Sequence, residues 1–289
     1  MASLMTNASA MTALQTLNTI SKNMATTQSR ISTGLRVGEA SDNAAYWSIA
    51  TSMKSDNKAL SSVQDALGLG AGKIDTAYTG INEVIDTVDK IKQKLVTARG
   101  ASQEDQQKIQ GEINALQAHI TSVVGNSNYA GSNIIQDNTD VNIVASYNRS
   151  GATVTIDEIT LTGANVLVLD AAGTGGSAAN VVAAALFDAS GGQVGDAAID
   201  TALGTVETAL ASLADQAAEL GAAKSRVDLQ KDFVGKLSDA IERGVGQLVD
   251  ADMNEESARL SALQVQQQLG IQALSIANSN SQNILSLFR

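Results

Sequence analysis

The chain of 289 residues contains no cysteine and no proline. Without cysteine there is no disulfide, no thiol nucleophile and no cysteine-ligated metal. Average usage would place roughly 14 prolines in this length, so their absence removes helix breakers and slow X–Pro isomerisation together. The single histidine, His119, excludes a histidine-cluster metal site and argues against a Ser/His/Asp triad. Aromatic residues are only 3% of the chain. A core almost without rings must be filled with Ala, Val, Leu and Ile, which suits close helix packing. No run of 18 apolar residues is present, so no membrane-spanning helix is expected. No basic start followed by an apolar stretch marks a secretory signal, and these signals alone read as cytosolic. The net charge of -11 argues against nucleic acid and anionic membrane as partners.

Acidic residues are missing from both ends. Residues 1–38 and 257–289 contain none, so all 30 lie between them. The ends are written in Ser, Thr, Asn, Gln and aliphatics, which fits either disorder or burial against something; their apolar content speaks against disorder. At the N-terminal end Met11, Leu14, Leu17, Ile20, Met24 and Ile31 recur at helical spacing. At the C-terminal end Leu260, Leu263, Leu269, Leu274, Ile284, Leu285 and Leu287 fall on more than one helix face, as in a helix covered on most sides. The chain is too short to supply that cover itself, so other copies are expected to do so.

Two longer stretches carry seven-residue repeats. Leu60, Leu67, Ile74, Ile81, Val88 and Leu95 form one, with Val63, Gly70, Ala77, Val84 and Ile91 as its second seam. Ile199, Val206, Leu213, Leu220, Val227, Val234, Ile241 and Leu248 form the other. Its expected second seam, Leu203, Leu210, Ala217, Lys224, Lys231, Ser238 and Val245, turns polar midway. The two lysines either snorkel to solvent or mark where the seam opens to a neighbouring subunit. Such repeats predict coiled-coil packing, with helices of roughly 50 residues and about 75–80 Å. A third helix is expected over 109–124, after a turn at 99–105. Residues 125–195 differ: they hold 10 of the 24 glycines and one basic residue, Arg149. Segments 141–147, 152–162 and 165–170 read there as short strands joined by tight turns.

Groups able to do chemistry are scarce. His119 lies on the third helix without a nucleophile pattern, and no calcium loop, HExxH or P-loop occurs. No catalytic residue, metal site or cofactor is expected. One segment imitates a dinucleotide-binding turn: strand-like 165–170, then Gly173-Thr174-Gly175-Gly176-Ser177-Ala178, then apolar residues from Val181. That motif needs a second parallel strand carrying an acid. Here the chain runs directly into the long repeat, so a flexible Gly-rich surface loop is the better reading.

The stretch Ser29-Arg30-Ile31-Ser32-Thr33-Gly34-Leu35-Arg36-Val37-Gly38-Glu39-Ala40-Ser41-Asp42-Asn43-Ala44-Ala45 closely resembles the N-terminal signature of bacterial flagellins. Residues 256–289 resemble the flagellin C-terminus nearly throughout. SDNAAYWSIA and GVGQLVDADMNEESARL look like the alpha-proteobacterial, rhizobial version. The resemblance covers about 1–135 and 196–289. It implies a mainly α fold in three parts: 1–40 with 251–289 as the inner filament core, 41–135 with 196–250 as a long-helix bundle, and 136–195 as a variable, β- and Gly-rich outer insert. It implies a structural subunit, exported unfolded by a dedicated route, that polymerises into a hollow helical propeller outside the cell. That revises the cytosolic reading. The subunit interface would include Leu14, Leu17, Ile20, Met24, Ile31, Leu260, Leu263, Leu269, Leu274, Ile284, Leu285 and Leu287. The bundle core would include Leu67, Ile74, Ile81, Val88, Leu95, Val206, Leu213, Leu220, Val227 and Val234. Partners implied by the resemblance are further copies of the chain, an export chaperone, and filament-cap and hook-junction proteins. In recognised flagellins Toll-like receptor 5 grips a segment resembling Q-R-I-R-E-L-A-V-Q. The matching stretch, Asp89 to Thr97, carries Lys90, Lys92, Gln93 and Lys94 instead, which implies weak or no receptor binding. A type III needle-tip or translocator protein is the alternative class, but it would lack the two-ended signature.

Overall fold

The computed structural model describes residues 7–151, 153–184 and 195–286. Among them, seven helices and two strands follow in the order α1 (Ala8–Thr33), α2 (Ala44–Ala98), α3 (Gln103–Asn126), β1 (Val141–Ser150), β2 (Thr153–Leu161), α4 (Gly163–Val166), α5 (Ala179–Val182), α6 (Asp196–Val249) and α7 (Met253–Ser286). The described part of the chain is therefore mainly α, with two helices of 55 and 54 residues and one antiparallel hairpin. It packs as two units, residues 1–57 with 239–289 and residues 58–238. The boundaries fall inside α2 and α6.

Helix ends are set by side chains that satisfy the free N–H groups of the first turn. Asn7 Oδ1 accepts from the Ala10 N–H at 3.0 Å to start α1. Asn43 Oδ1 accepts from Tyr46 to start α2. Ser102 Oγ accepts from Asp105 to start α3. Asp252 Oδ1 accepts from Asn254 and Glu255 to start α7. α1 stops at Gly34, whose φ of 73° lies in the left-handed region that a side chain would strain.

In the unit formed by the chain ends, α1 packs along α7. The pairing is antiparallel: Asn7 Nδ2 donates to the Ala277 carbonyl at one end, and Arg30 meets Glu256 at the other. Beyond the helix ends the two stretches of chain clamp one another. The N–H groups of Arg36 and Val37 both donate to the Val249 carbonyl, and the Ala251 N–H donates to the Gly34 carbonyl at 2.9 Å. A small core of Val37, Ala50, Val245 and Val249 forms there, with Leu35, Met53, Ile241 and Leu248 against it.

In the second unit α2, α3 and α6 form an antiparallel bundle. Each step forward on α2 is matched by an equal step back on α6. Gln64 lies against Gly235 and Tyr78 against Gly221, and Asp75, Lys92 and Arg99 ion-pair with Lys224, Glu207 and Asp200. Leu67, Ile74, Ile81 and Val88 on α2, with Val206, Leu213, Leu220 and Val227 on α6, are fully removed from water. Leu95 and Val234 are nearly so, and all these positions match the seven-residue repeats. α3 begins at Gln103, and the reversal before it is confined to residues 99–102. On α6 the expected second seam is half-buried at Leu203, Leu210, Ala217 and Lys224, and a further flank is covered as well. Ala209 and Gln216 are buried, three residues after Val206 and Leu213. Lys224 lies on the flank facing α2, where it pairs with Asp75. Lys231 is exposed.

Among the described residues the insert is one hairpin, two four-residue helices and loops. β1 and β2 pair from Val141↔Leu161 to Ser150↔Thr153, with a bulge between Val144 and Ser146. The expected strand at 165–170 is not one. α4 ends at Val166, and Leu167 to Asp170 continue as a loop in which the Val168 N–H donates to the Ile135 carbonyl. The segment's backbone groups are taken up by loops instead: the Ser177 and Ala178 N–H groups donate to the Leu167 and Val168 carbonyls.

Candidate assembly surfaces

The seam between α1 and α7 is built from small and aliphatic side chains. Ile20 and Leu263 are buried, as is Thr27. Leu17, Met24, Ile31, Leu260 and Leu274 are half-buried. A side-chain carbon of Leu17 lies within 4 Å of where a Cβ on Gly270 would stand. Leu14 and Leu269, expected with them at the subunit interface, are 59% exposed each. They share this exposure with Met11, Val265, Ile271 and Ile276. The pair thus has one apolar face closed on itself and another open to water. The side chains of Ile284, Leu285 and Leu287 lie outside the described residues.

At the base of this pair sits a group that sequence reasoning missed. Arg30 Nη1 meets Glu256 Oε1 at 3.1 Å, with the two side chains 26% and 7% exposed. Arg259 Nη1 approaches the same oxygen at 3.8 Å. The other carboxylate oxygen, Oε2, is buried without a partner. Glu256 is the last acid of the chain. Its spacing from the capping residue Asp252 reads as an ordinary first-turn acid, so nothing in the sequence signals the pairing across 226 residues.

The insert is tied to the bundle by three glutamines, also unforeseen. Gln117 Nε2 on α3 donates to the carbonyls of Val181 and Ala184, each at 2.8 Å. Gln216 Nε2 on α6 donates to Leu167, and Ser177 Oγ donates to Gln216 Oε1 at 2.9 Å. Gln230 Nε2 donates to Ala145 at the hairpin bulge. Ser177 is therefore an anchor and not part of a free loop. The Gly-rich turn is likewise closed upon itself. The Asp170 carboxylate accepts from the N–H and hydroxyl of Thr174. These donors, first the Thr174 N–H and then that of Gly175, hold its carboxyl below the usual carboxylate range. Amides that a pyrophosphate would need are occupied by the loop's own acid, and the helix that follows, α5, has four residues.

Several other charged groups form cross-helix ties. Lys92 pairs with Glu207, whose hydrogen bond raises the lysine above its ordinary value. Lys94 pairs with Glu112 at 2.6 Å, and Gln93 Nε2 donates to Asp89 at 2.8 Å. Lys90 is exposed. Lys224 is raised in the same way by Asp75. His119 Nε2 stands 3.3 Å from Glu83 Oε1, on the surface. Among the described residues there is no group of three potential metal ligands, and no helix is long and apolar enough to cross a membrane.

Comparison with known proteins accounts for this arrangement. A profile of the bacterial flagellin N-terminal helical region matches residues 4–140, and one of the bacterial flagellin C-terminal helical region matches residues 203–288. The chain is 62% identical to a flagellin of Brucella melitensis, with the whole of both chains covered. The chain belongs to the bacterial flagellin family. It is also 45% identical to flagellin C and 42% identical to flagellin A of Rhizobium meliloti, again over the full length of both partners. A candidate flagellar hook-associated protein from Vibrio parahaemolyticus shares the fold. Its TM-score is 0.55 at 14% identity, covering 72% of this chain and 100% of that one. As a flagellin the chain is a structural subunit of the extracellular flagellar filament and not an enzyme. The needle-tip alternative, which lacks the two-ended match, is set aside.

Proposed function

We propose that this flagellin is exported unfolded and adds to a growing filament through the open apolar face of its α1–α7 pair. The closed seam holds each subunit's own two ends together. The open face, with Met11, Leu14, Val265, Leu269 and Ile276, meets neighbouring copies. What carries this reading is the pairing of apolar exposure with the lack of acids at both chain ends: a charge at such a contact would be desolvated at several kcal/mol per ion. Subunit contacts that are not self-complementary do not close, so the assembly grows as a helix. Residues 1–40 and 251–289 form the inner core, 41–135 and 196–250 the next shell, and 136–195 the outer surface.

Before export, 250–289 would be covered by a chaperone, since its apolar faces would otherwise aggregate. Cap and hook-junction proteins meet the same filament ends. Toll-like receptor 5 binds weakly or not at all. Lys90 and Lys92 lack the planar fork of the arginines they replace, and Lys94 puts a charge where an apolar anchor is expected.

The test is seeded elongation. Purified chain should extend filament fragments, Leu269→Asp should not, and the circular dichroism of the two monomers should agree. Elongation by Leu269→Asp at the native rate would defeat the assignment of that face.

A further inference from the structure

Two apolar patches in the unit formed by residues 58–238 are left open, and they are complementary in chemistry. One is on the distal part of β2. Residues 153–158 are all exposed, and side chains alternate across a strand, so Val154, Ile156 and Glu158 share one face. Val154 and Ile156 are 46% and 58% exposed. The second patch lies on the outside of α6. Arg226, Leu229, Phe233 and Lys236 follow at steps of three, four and three, which puts them on one stripe of the helix. Leu229 and Phe233 are 69% and 56% exposed.

Each patch is out of character for a free surface. An exposed edge strand rich in β-branched residues is a template for unwanted pairing, which proteins normally blunt. A leucine and a phenylalanine one helical turn apart would ordinarily be inside. The patches do not cover each other within one chain, since both are open to water.

We infer that the β2 face of one copy docks on the Arg226–Lys236 stripe of the next. This rests on the filament reading above and adds a second contact, outside the terminal pair. The spacing agrees. Val154 to Ile156 spans about 6.6 Å along the strand, and Leu229 to Phe233 about 6 Å along the helix. One pair of opposite charges is matched as well. With Val154 on Leu229 and Ile156 on Phe233, Glu158 arrives at Lys236. Among the described residues Glu158, Arg226 and Lys236 have no ion-pair partner within the chain. The contact is between two different patches, so each copy keeps one of each free for its neighbours, and the row stays open-ended.

The absence of cysteine makes the test clean. Ile156→Cys/Phe233→Cys is assembled on seeds and then oxidised. A ladder of covalent oligomers on a non-reducing gel, absent from the unassembled protein and from each single variant, is the expected result. Filaments that form without a ladder overturn the contact. A second measurement does not depend on the cysteine variants. Glu158→Lys and Lys236→Glu should each slow elongation about fivefold, and the double reversal should recover most of it, the signature of a direct pair. A double variant as slow as the singles also overturns it. Native chain that fails to extend seeds at all would instead sink the filament reading on which the contact rests.

Discussion

At the scale of single residues, the Arg30–Glu256 pair separates two accounts of the chain ends. A buried carboxylate is tolerated because its cation is in place; removing the cation alone leaves the charge uncompensated, whereas removing both can be nearly neutral. Arg30→Ala should therefore destabilise the end unit by about 3 kcal/mol, less whatever Arg259 makes good from 3.8 Å. Arg30→Ala/Glu256→Leu should recover most of that loss. Denaturant melts of both variants decide it, and equal losses would show that the pair is ornamental. Asp170 offers a test by pH. Its acidity is strengthened in the folded loop, so it contributes stability above the ordinary carboxylate value and loses it as pH falls through its own lower value. A carboxyl NMR titration should place Asp170 below the aspartate norm of about 3.9, and Asp170→Asn should abolish that part of the acid dependence. A titration at or above the norm would mean the loop does not close on the acid.

Among the elements, two neighbouring glycines on α2 should respond in opposite directions. A Cβ on Gly68 would meet nothing within 4 Å, so Gly68→Ala should gain close to the full helix preference of about 1 kcal/mol. A Cβ on Gly70 would fall 2.5 Å from Ile143 Cγ2, with two more carbons of that side chain at 3.0 Å. Overpacking of that kind costs about 1–3 kcal/mol and outweighs the gain. Gly70→Ala should therefore lower the melting temperature while Gly68→Ala raises it; a rise in both would mean the hairpin does not rest on α2. The long repeats on α2 and α6 announced their buried faces because burial on a regular helix repeats every seven residues. Gly70 stood in the repeat as an unexplained gap, because its reason is a hairpin far along the chain. The second seam of α6 is only half legible, because positions three and four residues along are equally near the first seam and both flanks are covered. One flank meets α2 and takes Lys224; the other meets the insert and takes Gln216 and Gln230. Glutamines that hold carbonyls leave no trace in a hydrophobic pattern. The open face of the terminal pair was half legible for the same reason: apolar spacing identifies helix faces but does not say which of two faces the partner helix will take.

For the whole molecule, the division of the chain makes truncation informative. The unit of residues 58–238 carries its own core on α2, α3, α6 and the insert. Removing residues 257–289 takes away nearly all of α7 and leaves that unit intact in sequence. It also strips the cover from Leu17, Ile20 and Met24, so α1 loses its apolar partner. An isolated helix of 26 residues with few favourable charge pairs is marginal in water. The truncated protein should therefore remain a helical monomer, its main melting transition within a few degrees of the intact chain. The helix signal should fall by the residues of α7 and most of α1. It should neither extend seeds nor compete with intact chain for filament ends, because both sides of the terminal pair are gone. Hydrogen exchange separates the two regions directly: amides on α2 near Ile74 and Ile81 should keep their protection, and those on α1 should lose it. If the truncated protein still elongates filaments, subunit contacts reside elsewhere than the chain ends. If protection at Ile74 collapses too, the two units fold as one, and the terminal pair is a support for the bundle as well as an assembly surface.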